Sequence, residues 1–357
     1  MANIFDYLND VAYDSFYDLS VNELDVLALT ELTYLAFDDV VAQEPQRLID
    51  LAPQIPRETT MLTNKNRLQL LDQLSQHKRF KNCKLSNFIN DIDPELQKQF
   101  AAMTYRISLD TYLLVFRGTD DSIIGWKEDF HMTYMKEIPA QKHALQYLQD
   151  FFAQHPNQKV VIAGHSKGGN LAVYAASQLD PLLQKNIVTV YTFDAPGLHK
   201  ELTETAGYQN MMERTKVFVP QGSIIGMILE IPDKKIVVRS TALGGLAQHD
   251  TFSWQVEDKH FVQLDETNSD SQQVDTTFKE WVETVPDEEL QLYFDLFFGI
   301  ILDAGISSIN DLSSFKVIEH IHHLFVQAQS LTPEERETMG RLTQLLIDTR
   351  YQAWKNR

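Results

Sequence analysis

The sequence is poor in the features that mark secreted, membrane-spanning or nucleic-acid-binding proteins. Its 357 residues include 1 cysteine, Cys83, so no internal disulfide can form and a secreted, disulfide-stapled fold is not indicated. The N-terminus has neither the basic start nor the continuous apolar run of a secretory signal. No stretch reaches the ~18 uninterrupted apolar residues of a spanning helix. We therefore expect a cytoplasmic protein without stable membrane insertion, in which Cys83 is a packed thiol.

Basic side chains are also scarce. The chain has 31 lysines and arginines against 50 aspartates and glutamates, which gives a net charge of -19. Such a charge repels nucleic acid and anionic membrane surfaces at long range, so we expect no nucleic-acid partner. The hydrophobic content of 43% is sufficient for a full core, and the length indicates one large domain with a substantial appendage, or two domains.

The pattern of the sequence divides the chain into three regions. Residues 1–100 are predicted to form an N-terminal extension of acidic amphipathic helices packed on the core, because apolar residues recur at helical spacing from Leu24 to Leu35. Residues 101–265 contain the β-rich runs and are predicted to form the core. After a polar linker, residues 275–357 show helical patterns only and are predicted to form a C-terminal helical region.

A sheet is predicted from Met103 onward. The β-rich runs MTYRISL and TYLLVFRGT are separated by Asp110, which predicts a hairpin. Further apolar runs of buried-strand length follow, each ending in turn residues: KVVIAGHS, IVTVYTFDAPG, TKVFVPQG and KKIVVRST. Strands that alternate with helices indicate a largely parallel sheet covered on both faces. The predicted fold class is therefore α/β.

The run Gly164-His165-Ser166-Lys167-Gly168 follows one of these strands directly and opens an alanine-rich helix. In a Gly-x-Ser-x-Gly pattern the serine lies on a tight strand-to-helix turn, and side chains at the flanking glycines would collide with the neighbouring strand or helix. The turn exposes the serine hydroxyl and sets the Lys167 N–H beside a reacting carbonyl, as an oxyanion donor. We predict that Ser166 is a nucleophile. The alternative is a glycine-rich turn that only joins a strand to a helix.

These segments resemble the class 3 lipase family, the α/β-hydrolases related to fungal triacylglycerol lipases. The first segment, VFRGTDDSIIGWKEDF, looks like the family's Phe-Arg-Gly-Ser/Thr strand end with a Trp-bearing lid. The second, VIAGHSKGGNLAVYAA, looks like its nucleophile elbow, the tight strand-to-helix turn that carries the serine. The third, VYTFDAPGL, looks like its Thr-Phe-Gly-x-Pro strand. The chain also resembles a group of uncharacterised bacterial proteins of this fold. The resemblance covers about Met103 to Val256 and implies an α/β-hydrolase fold with a mostly parallel central sheet, an N-terminal helical extension and a C-terminal helical appendage.

The resemblance implies roles for two further residues. In these lipases the residue after Arg-Gly supplies the second oxyanion donor, which corresponds to Thr119 in this sequence. Ordinary packing at a strand end is the alternative. Trp126 corresponds to the lid, where it either touches an acyl substrate or anchors the protein to a surface.

A serine hydroxyl needs a base, and in this fold the order along the chain is serine, acid, histidine. Three of the eleven histidines follow the elbow before the C-terminal helical region: His199, His249 and His260. We choose His249 because its glycine-rich loop ALGGLAQHD follows the last strong strand candidate, where this fold carries its base. His260 is the main alternative, and His199 lies too close to the Asp194 loop to be favoured.

The acid is where this chain departs from the lipases. They carry an aspartate after the strand equivalent to TKVFVP, whereas this chain has Ser223 at the aligned position. Asp194 stands at the end of the preceding strand, and we predict it as a migrated acid. The alternatives are that Asp194 only caps its turn, that Asp250 supplies the acid, or that the site has serine and histidine alone.

These residues lead to an expected function and an alternative to it. We expect a carboxylic ester hydrolase, esterase-like or lipase-like, that acts on a small-molecule or lipid ester through a Ser-His-Asp triad and an acyl-enzyme. No metal or organic cofactor is expected, because the sequence has neither a metal-binding pattern nor a phosphate-binding glycine loop. The alternative is a weakly active or inactive hydrolase-fold protein that serves in binding or scaffolding. The pattern does not define the substrate, its acyl length or the oligomeric state.

Overall fold

A sheet of nine strands runs through the part of the chain that the computed structural model describes, which comprises residues 2–57, 64–120, 122–232, 234–306 and 326–355. In chain order the strands are β1 (Gln46–Arg47), β2 (Lys84–Asp93), β3 (Lys98–Arg106), β4 (Tyr112–Phe116), β5 (Val160–His165), β6 (Ile187–Phe193), β7 (Thr215–Pro220), β8 (Ile236–Val238), β9 (Val256–Glu257), β10 (His260–Phe261) and β11 (Gln263–Leu264). Neighbours in the large sheet follow the order β1-β2-β3-β4-β5-β6-β7-β8-β11, and β9 pairs with β10.

Helices connect and cover these strands. They are α1 (Ile4–Asp10), α2 (Glu23–Leu32), α3 (Leu48–Leu51), α4 (Asn64–Gln76), α5 (Ile123–His131), α6 (Pro139–Gln154), α7 (Lys167–Gln178), α8 (Pro181–Gln184), α9 (Lys200–Thr203), α10 (Ala206–Met212), α11 (Ser269–Thr284), α12 (Asp287–Asp303) and α13 (Pro333–Lys355). Short 3-10 turns lie at Ala52–Gln54, Ile225–Met227, Ala247–His249 and Thr251–Ser253. Within the described ranges, none of the helices has both the length and the apolar character needed to cross a membrane.

The centre of the sheet is parallel. Strands β4, β5, β6, β7 and β8 pair in parallel. Helix α6 lies in the connection from β4 to β5, and α7 lies in the connection from β5 to β6. The hairpin predicted around Asp110 joins β3 and β4, which pair in antiparallel fashion. A parallel centre with a sharp turn from β5 into α7 is the arrangement of the α/β-hydrolase fold. The predicted fold class is therefore confirmed.

Both faces of this central region are covered. On β5, Val161 and Ala163 belong to a hydrophobic cluster shared with α1, α2 and α4. Val160 and Ile162 belong to a second cluster shared with α6, α7 and α10. Successive side chains of a strand point to opposite faces, so a strand covered on both sides has no polar alternation. This explains why KVVIAGHS is a continuous apolar run.

The sequence predicts that the sheet begins at Met103, but in the structure it begins earlier. Strand β2 pairs with β3 over most of its length, and β1 pairs with β2. The sequence of β2, KLSNFINDID, is polar because half-buried and exposed positions dominate its second half. The sheet thus includes residues from the stretch 1–100 assigned to the N-terminal extension, and the division into regions 1–100, 101–265 and 275–357 stays a prediction.

Helix α2 differs from the amphipathic helix that its sequence predicts. All ten of its residues are buried, because the helix lies between the sheet and its neighbours α1 and α4. A buried charge needs a partner. The acidic side chains of α2 have the following partners: Glu23 pairs with His260, Asp25 with Arg79, and Glu31 with Arg67.

The C-terminal helices start earlier than predicted and form a separate cluster. Helix α11 begins at Ser269, where the Asn268 side chain caps it, so the polar linker predicted before residue 275 is partly helical. Apolar residues of α11, α12 and α13 pack with residues of α5: Ile123, Trp281, Phe294 and Leu342 are buried there. The remainder of the predicted C-terminal region, residues 307–325 and 356–357, lies outside the described residues.

Two glycines permit the turn between β5 and α7. A Cβ on Gly164 would lie 2.1 Å from the Gly168 carbonyl carbon, and a Cβ on Gly168 would lie 2.1 Å from the Phe116 carbonyl oxygen. Both contacts are with backbone atoms of packed elements, which cannot move aside as a flexible side chain can. The close approach of β4, β5 and α7 therefore depends on glycine at these positions.

We expect Gly168→Ala to lower the free energy of unfolding by about 3 kcal/mol or more, since the added methyl overpacks the elbow against β4. Urea denaturation measures the change. Gly340→Ala in α13 is the matched control, because a Cβ there meets no atom within 4 Å. It should raise stability by about 0.5–1 kcal/mol. Equal stability of Gly168→Ala and the wild type would refute this account of the turn.

Candidate active site

Ser166 occupies the turn between β5 and α7 with unusual backbone angles. Its φ is 57° and its ψ is -136°, a conformation that is strained for a residue with a side chain. The residue is 9% exposed. Among the described residues, none forms a hydrogen bond with its hydroxyl. The Ser166 hydroxyl therefore has no hydrogen-bond partner among the described residues, and the residue that carries it has a strained backbone conformation.

His249 and Asp194 are brought together, as the sequence predicts. The Nδ1 atom of His249 lies 2.6 Å from Oδ2 of Asp194. Asp194 is fully buried, whereas the His249 side chain is 21% exposed. Because the carboxylate faces Nδ1, the other ring nitrogen, Nε2, is left to accept a proton. This pairing is the orientation that a base beside a nucleophile requires.

Ser223 supports the same carboxylate from the position where the lipases carry their acid. Its hydroxyl donates a short hydrogen bond to Oδ1 of Asp194, and the N–H of Gly226 donates to the same oxygen over 3.2 Å. Asp194 itself directly follows β6 and has a φ of 44°. The sequence shows that Ser223 stands where an acid is expected. It does not show that the Ser223 side chain binds Asp194, the acid predicted in its place.

The loop that carries His249 rests on the elbow. Nε2 of His165 lies 3.1 Å from the main-chain oxygen of His249, and the two imidazole rings are 4.5 Å apart at their centroids. His165 directly precedes Ser166 in the chain. Through this contact the histidine loop is attached to the nucleophile turn, although the two elements are distant in sequence.

The other histidines and acids that the sequence leaves open have different partners. Nδ1 of His260 lies 2.7 Å from Glu23 of α2. His199 caps α9 by accepting from the N–H of Glu201. Asp250 caps the following 3-10 turn, and burial raises its pKa. The choice of His249 with Asp194 thus agrees with the geometry, and the catalytic role of either stays a prediction.

Of the two predicted oxyanion donors, Lys167 follows Ser166 in the chain, and Thr119 follows Gly118, which lies close to Ser166. A Cβ on Gly118 would be 2.9 Å from Cβ of Ser166, so the end of β4 that carries Thr119 adjoins the nucleophile. Among the described residues, none accepts a hydrogen bond from the main-chain N–H of Thr119 or of Lys167. Both N–H groups therefore lack an acceptor within the described part of the chain, as oxyanion donors require. Gly118 is the neighbour of Ser166 that sequence reasoning did not single out.

The side chain of Lys167 points away from Ser166 into the interior. Its Nζ is fully buried, lies 2.8 Å from Glu128 Oε2, and donates to the backbone and side-chain oxygens of Gln99. Glu128 also accepts from the N–H groups of Gln99 and Ala140. This buried ion pair fixes α5 against β3 and the start of α7. Sequence reasoning missed it, because only the backbone of Lys167 was assigned a role.

Asp129 is a further acid beside the candidate oxyanion donors. The hydroxyl of Thr119 donates to its Oδ2 over 2.6 Å, and its Oδ1 lies 3.7 Å from Lys167 Nζ. Burial raises the pKa of Asp129 to about 6, against the opposing effects of Lys167 and Thr119. Ionisation of this carboxyl therefore costs more free energy in the folded protein than in the unfolded chain. No pattern in the sequence marks the residue apart from its place in the predicted lid.

The predicted lid is helix α5, and the C-terminal helices pack on it. Trp126 is half-buried and packs against their cluster. Lys127 pairs with Asp295 of α12 over 2.7 Å, and the rings of Phe130 and Phe294 are 4.8 Å apart. Trp126 thus contacts the C-terminal helices, and its role as a lid residue stays a prediction.

Metal binding and catalysis by a cysteine thiolate are two other activities that histidine, cysteine and acidic side chains can support. Among the residues that the structure describes, no group of three or more histidine, cysteine, aspartate or glutamate side chains is arranged to hold a metal ion. Cys83 is buried, and burial is the main cause that raises the pKa of its thiol to about 12. A thiol with this pKa carries almost no thiolate near neutral pH, so Cys83 is not suited to act as a nucleophile.

A model of the Mbeg1-like family matches residues 74–299, which is more than half of the chain. The chain belongs to the Mbeg1-like family. The matched segment contains Ser166, Asp194 and His249, whereas α1, α2 and most of α4 precede it. No curated protein matches the sequence. The expected kinship with a bacterial group stays a prediction.

Solved structures similar to this Mbeg1-like chain include several lipases. The M37 lipase is 16% identical, with 58% of this chain and 70% of the lipase covered and a TM-score of 0.37. A mutant form of MDLA from Penicillium cyclopium is 15% identical, with 71% and 92% covered and a TM-score of 0.45. The mono- and diacylglycerol lipase from Aspergillus oryzae is 15% identical, with 70% and 85% covered and a TM-score of 0.41. At these identities the matches assign no activity to this chain.

The raised pKa of Asp129 predicts a pH-dependent gain of stability from Asp129→Asn. The wild-type penalty is absent below the unfolded pKa near 3.8, grows as the pH rises, and is complete above about 6. The free energy of unfolding gained by the variant should therefore be larger at pH 8 than at pH 5, by about 1 kcal/mol. The asparagine oxygen can still accept from Thr119.

Urea denaturation at the two pH values measures this difference. Asp150→Asn on the exposed side of α6 is the control and should show no such increase. A gain for Asp129→Asn that is the same at pH 5 and pH 8 would contradict the raised pKa.

Proposed function

We propose that the protein is a serine hydrolase that cleaves carboxylic esters through an acyl-enzyme. In this proposal Ser166 Oγ attacks the ester carbonyl while Nε2 of His249 takes its proton. Asp194 holds the Nδ1 side of the ring and stabilises the imidazolium that forms. The main-chain N–H groups of Thr119 and Lys167 donate to the oxyanion.

The second half of the reaction uses the same groups. His249 gives its proton to the leaving alcohol, which leaves the acyl group on Ser166. Water then attacks the acyl-enzyme, with His249 as base, and releases the carboxylic acid. No group outside this set of residues is required for either step.

The observation that carries the proposal is the 2.6 Å contact between His249 and the fully buried Asp194. The loop that carries His249 also contacts His165, the residue before Ser166. A histidine held by a buried carboxylate beside a strained serine is the arrangement of an activated nucleophile. The unpartnered N–H groups of Thr119 and Lys167 add support, because a ligand oxygen there has two donors.

One observation favours a second candidate, a hydrolase-fold protein that binds or scaffolds without turnover. The Ser166 hydroxyl makes no hydrogen bond to His249 among the described contacts. A catalytic contact of this kind is often long without a substrate and tightens in the complex, so the missing hydrogen bond is also compatible with catalysis. The two candidates differ in whether Ser166 reacts with an electrophile.

A fluorophosphonate probe, which modifies activated serines, separates the candidates. We expect stoichiometric labelling of the wild type and no labelling of Ser166→Ala, because the reacting hydroxyl is removed. Asp194→Asn should slow the hydrolysis of p-nitrophenyl butyrate by about 10⁴-fold, through loss of the correct tautomer of His249. Mass spectrometry and initial rates measure the two effects.

Ser177→Ala is the matched control, since this serine is buried on α7 and donates only to the Tyr174 carbonyl. It should be labelled like the wild type. A well-folded wild-type protein that resists labelling would support the binding protein instead.

A further inference from the structure

Helix α2 reaches the candidate site through one buried carboxylate, Glu31. This side chain is 1% exposed. Its Oε1 accepts from the hydroxyl of Thr251 over 3.0 Å and lies 3.1 Å from Nδ1 of His165. Thr251 follows His249 by two residues, and His165 precedes Ser166. One oxygen atom of α2 thus contacts both the histidine loop and the nucleophile turn.

The second oxygen of Glu31 is held by an arginine. Nε and Nη2 of Arg67 lie 3.0 and 2.9 Å from Oε2, so two N–H groups of the guanidinium donate to this one oxygen. Burial alone would raise the pKa of Glu31, but Arg67 and His165 hold it well below its usual range. The Arg67 guanidinium also stacks 3.9 Å from the centre of the Tyr34 ring. Glu31 is therefore an ionised carboxylate with a fixed position.

His165 transmits this position to the proposed base. On one side of the ring, Nδ1 faces Glu31, and on the other, Nε2 lies 3.1 Å from the His249 carbonyl oxygen. The Tyr34 hydroxyl lies 3.3 Å from Nδ1 and accepts from the N–H of Gly118, which adjoins Ser166.

We propose that Glu31 is a positioning residue for the candidate active site, and that it acts by orienting His165, which binds the main chain of His249. The inference rests on the proposed function, because the positioned group is the proposed base. Glu31 holds His249 from two sides, through His165 and through Thr251.

The N-terminal residues of this arrangement lie outside the segment that the family model matches. Residues 74–299 match the family model, and Glu31, Tyr34 and Arg67 all precede that segment. The N-terminal helices are therefore part of the site in this chain and do more than cover one face of the sheet.

The test is the kinetics of Glu31→Gln with p-nitrophenyl butyrate. We expect kcat to fall about 10- to 100-fold, because a displaced base loses alignment with Ser166. KM should stay within about twofold, since Glu31 does not face the ester. Hydrogen exchange should rise in the segment 247–253, where the loop loses its contacts.

Glu23→Gln is the matched control. Glu23 lies on the same helix and pairs with a histidine, His260, over 2.7 Å, and within the described ranges its side chain has no hydrogen bond to the candidate site. Its kcat and the exchange in 247–253 should equal those of the wild type. An equal fall in kcat for Glu23→Gln would overturn the proposal, because any loss of charge on α2 would then have the same effect.

A double-mutant cycle distinguishes positioning from general stability. If Glu31 acts through His165, Glu31→Gln should reduce kcat much less in a His165→Ala background than in the wild type. An undiminished fall in that background would overturn the proposal. The proposal would also be overturned if the Glu31→Gln variant lost thermal stability while its folded fraction kept the kcat of the wild type.

Glu31→Gln leaves the Arg67 guanidinium buried without its carboxylate, which is strongly destabilising. The variant Glu31→Gln/Arg67→Met removes both charges and provides the same kinetic test if the single variant does not fold. Fluorophosphonate labelling of the wild type comes first. An unlabelled wild type refutes the proposed function and this inference with it, whereas a labelled wild type with an unchanged Glu31→Gln variant refutes the inference alone.

Discussion

The buried carboxylate of Asp194 is the constraint on which the candidate site depends. A fully buried carboxylate is stable only where donors surround it. Here the donors are the His249 ring, the Ser223 hydroxyl and the Gly226 N–H, and they come from two separate loops. The requirement to satisfy one acid therefore fixes the loops after β7 and β8 with respect to the end of β6.

Elements from both ends of the chain support these loops. The Ser271 hydroxyl of α11 donates to the Ser223 carbonyl over 2.6 Å, and the Trp254 indole donates to the Gln248 carbonyl over 2.8 Å. On the other side of the site, the Lys167–Glu128 pair fixes α5 to the core. Glu31 of α2 contacts Thr251 and His165 as well. Helices from both ends of the chain thus contribute to the geometry around Ser166, although neither end contributes one of the three proposed catalytic side chains.

Local patterns explain what the sequence predicts well. The elbow combines an apolar strand, a glycine-flanked serine and a helix within a few residues, so its spacing is visible without tertiary information. The α/β class follows for the same reason. Asp194 is predicted as the acid because Ser223 stands at the position of the usual acid, and the structure brings both residues together. The polar strand β2 escapes prediction because its outer positions are solvated and show no continuous apolar run.

The residues that sequence reasoning missed are linked only through tertiary contacts. Glu31, Glu128 and Asp129 lie on helices with acidic side chains, where a carboxylate normally indicates a solvated surface. Their burial depends on partners that are distant in sequence, such as Arg67 and Lys167. Nothing in their local pattern separates them from exposed acids. The burial of all ten residues of α2 is a consequence of the same packing.

The hydrogen bond between His249 and Asp194 is the central claim, and proton NMR of the imidazole N–H tests it most directly. A strong hydrogen bond to a buried carboxylate shifts the Nδ1 proton far downfield and protects it from exchange. The account predicts one such resonance in the wild type that is lost in Asp194→Asn and in His249→Gln and is retained in Asp250→Asn. A resonance that is lost in His249→Gln but survives Asp194→Asn, or that disappears in Asp250→Asn, would contradict it.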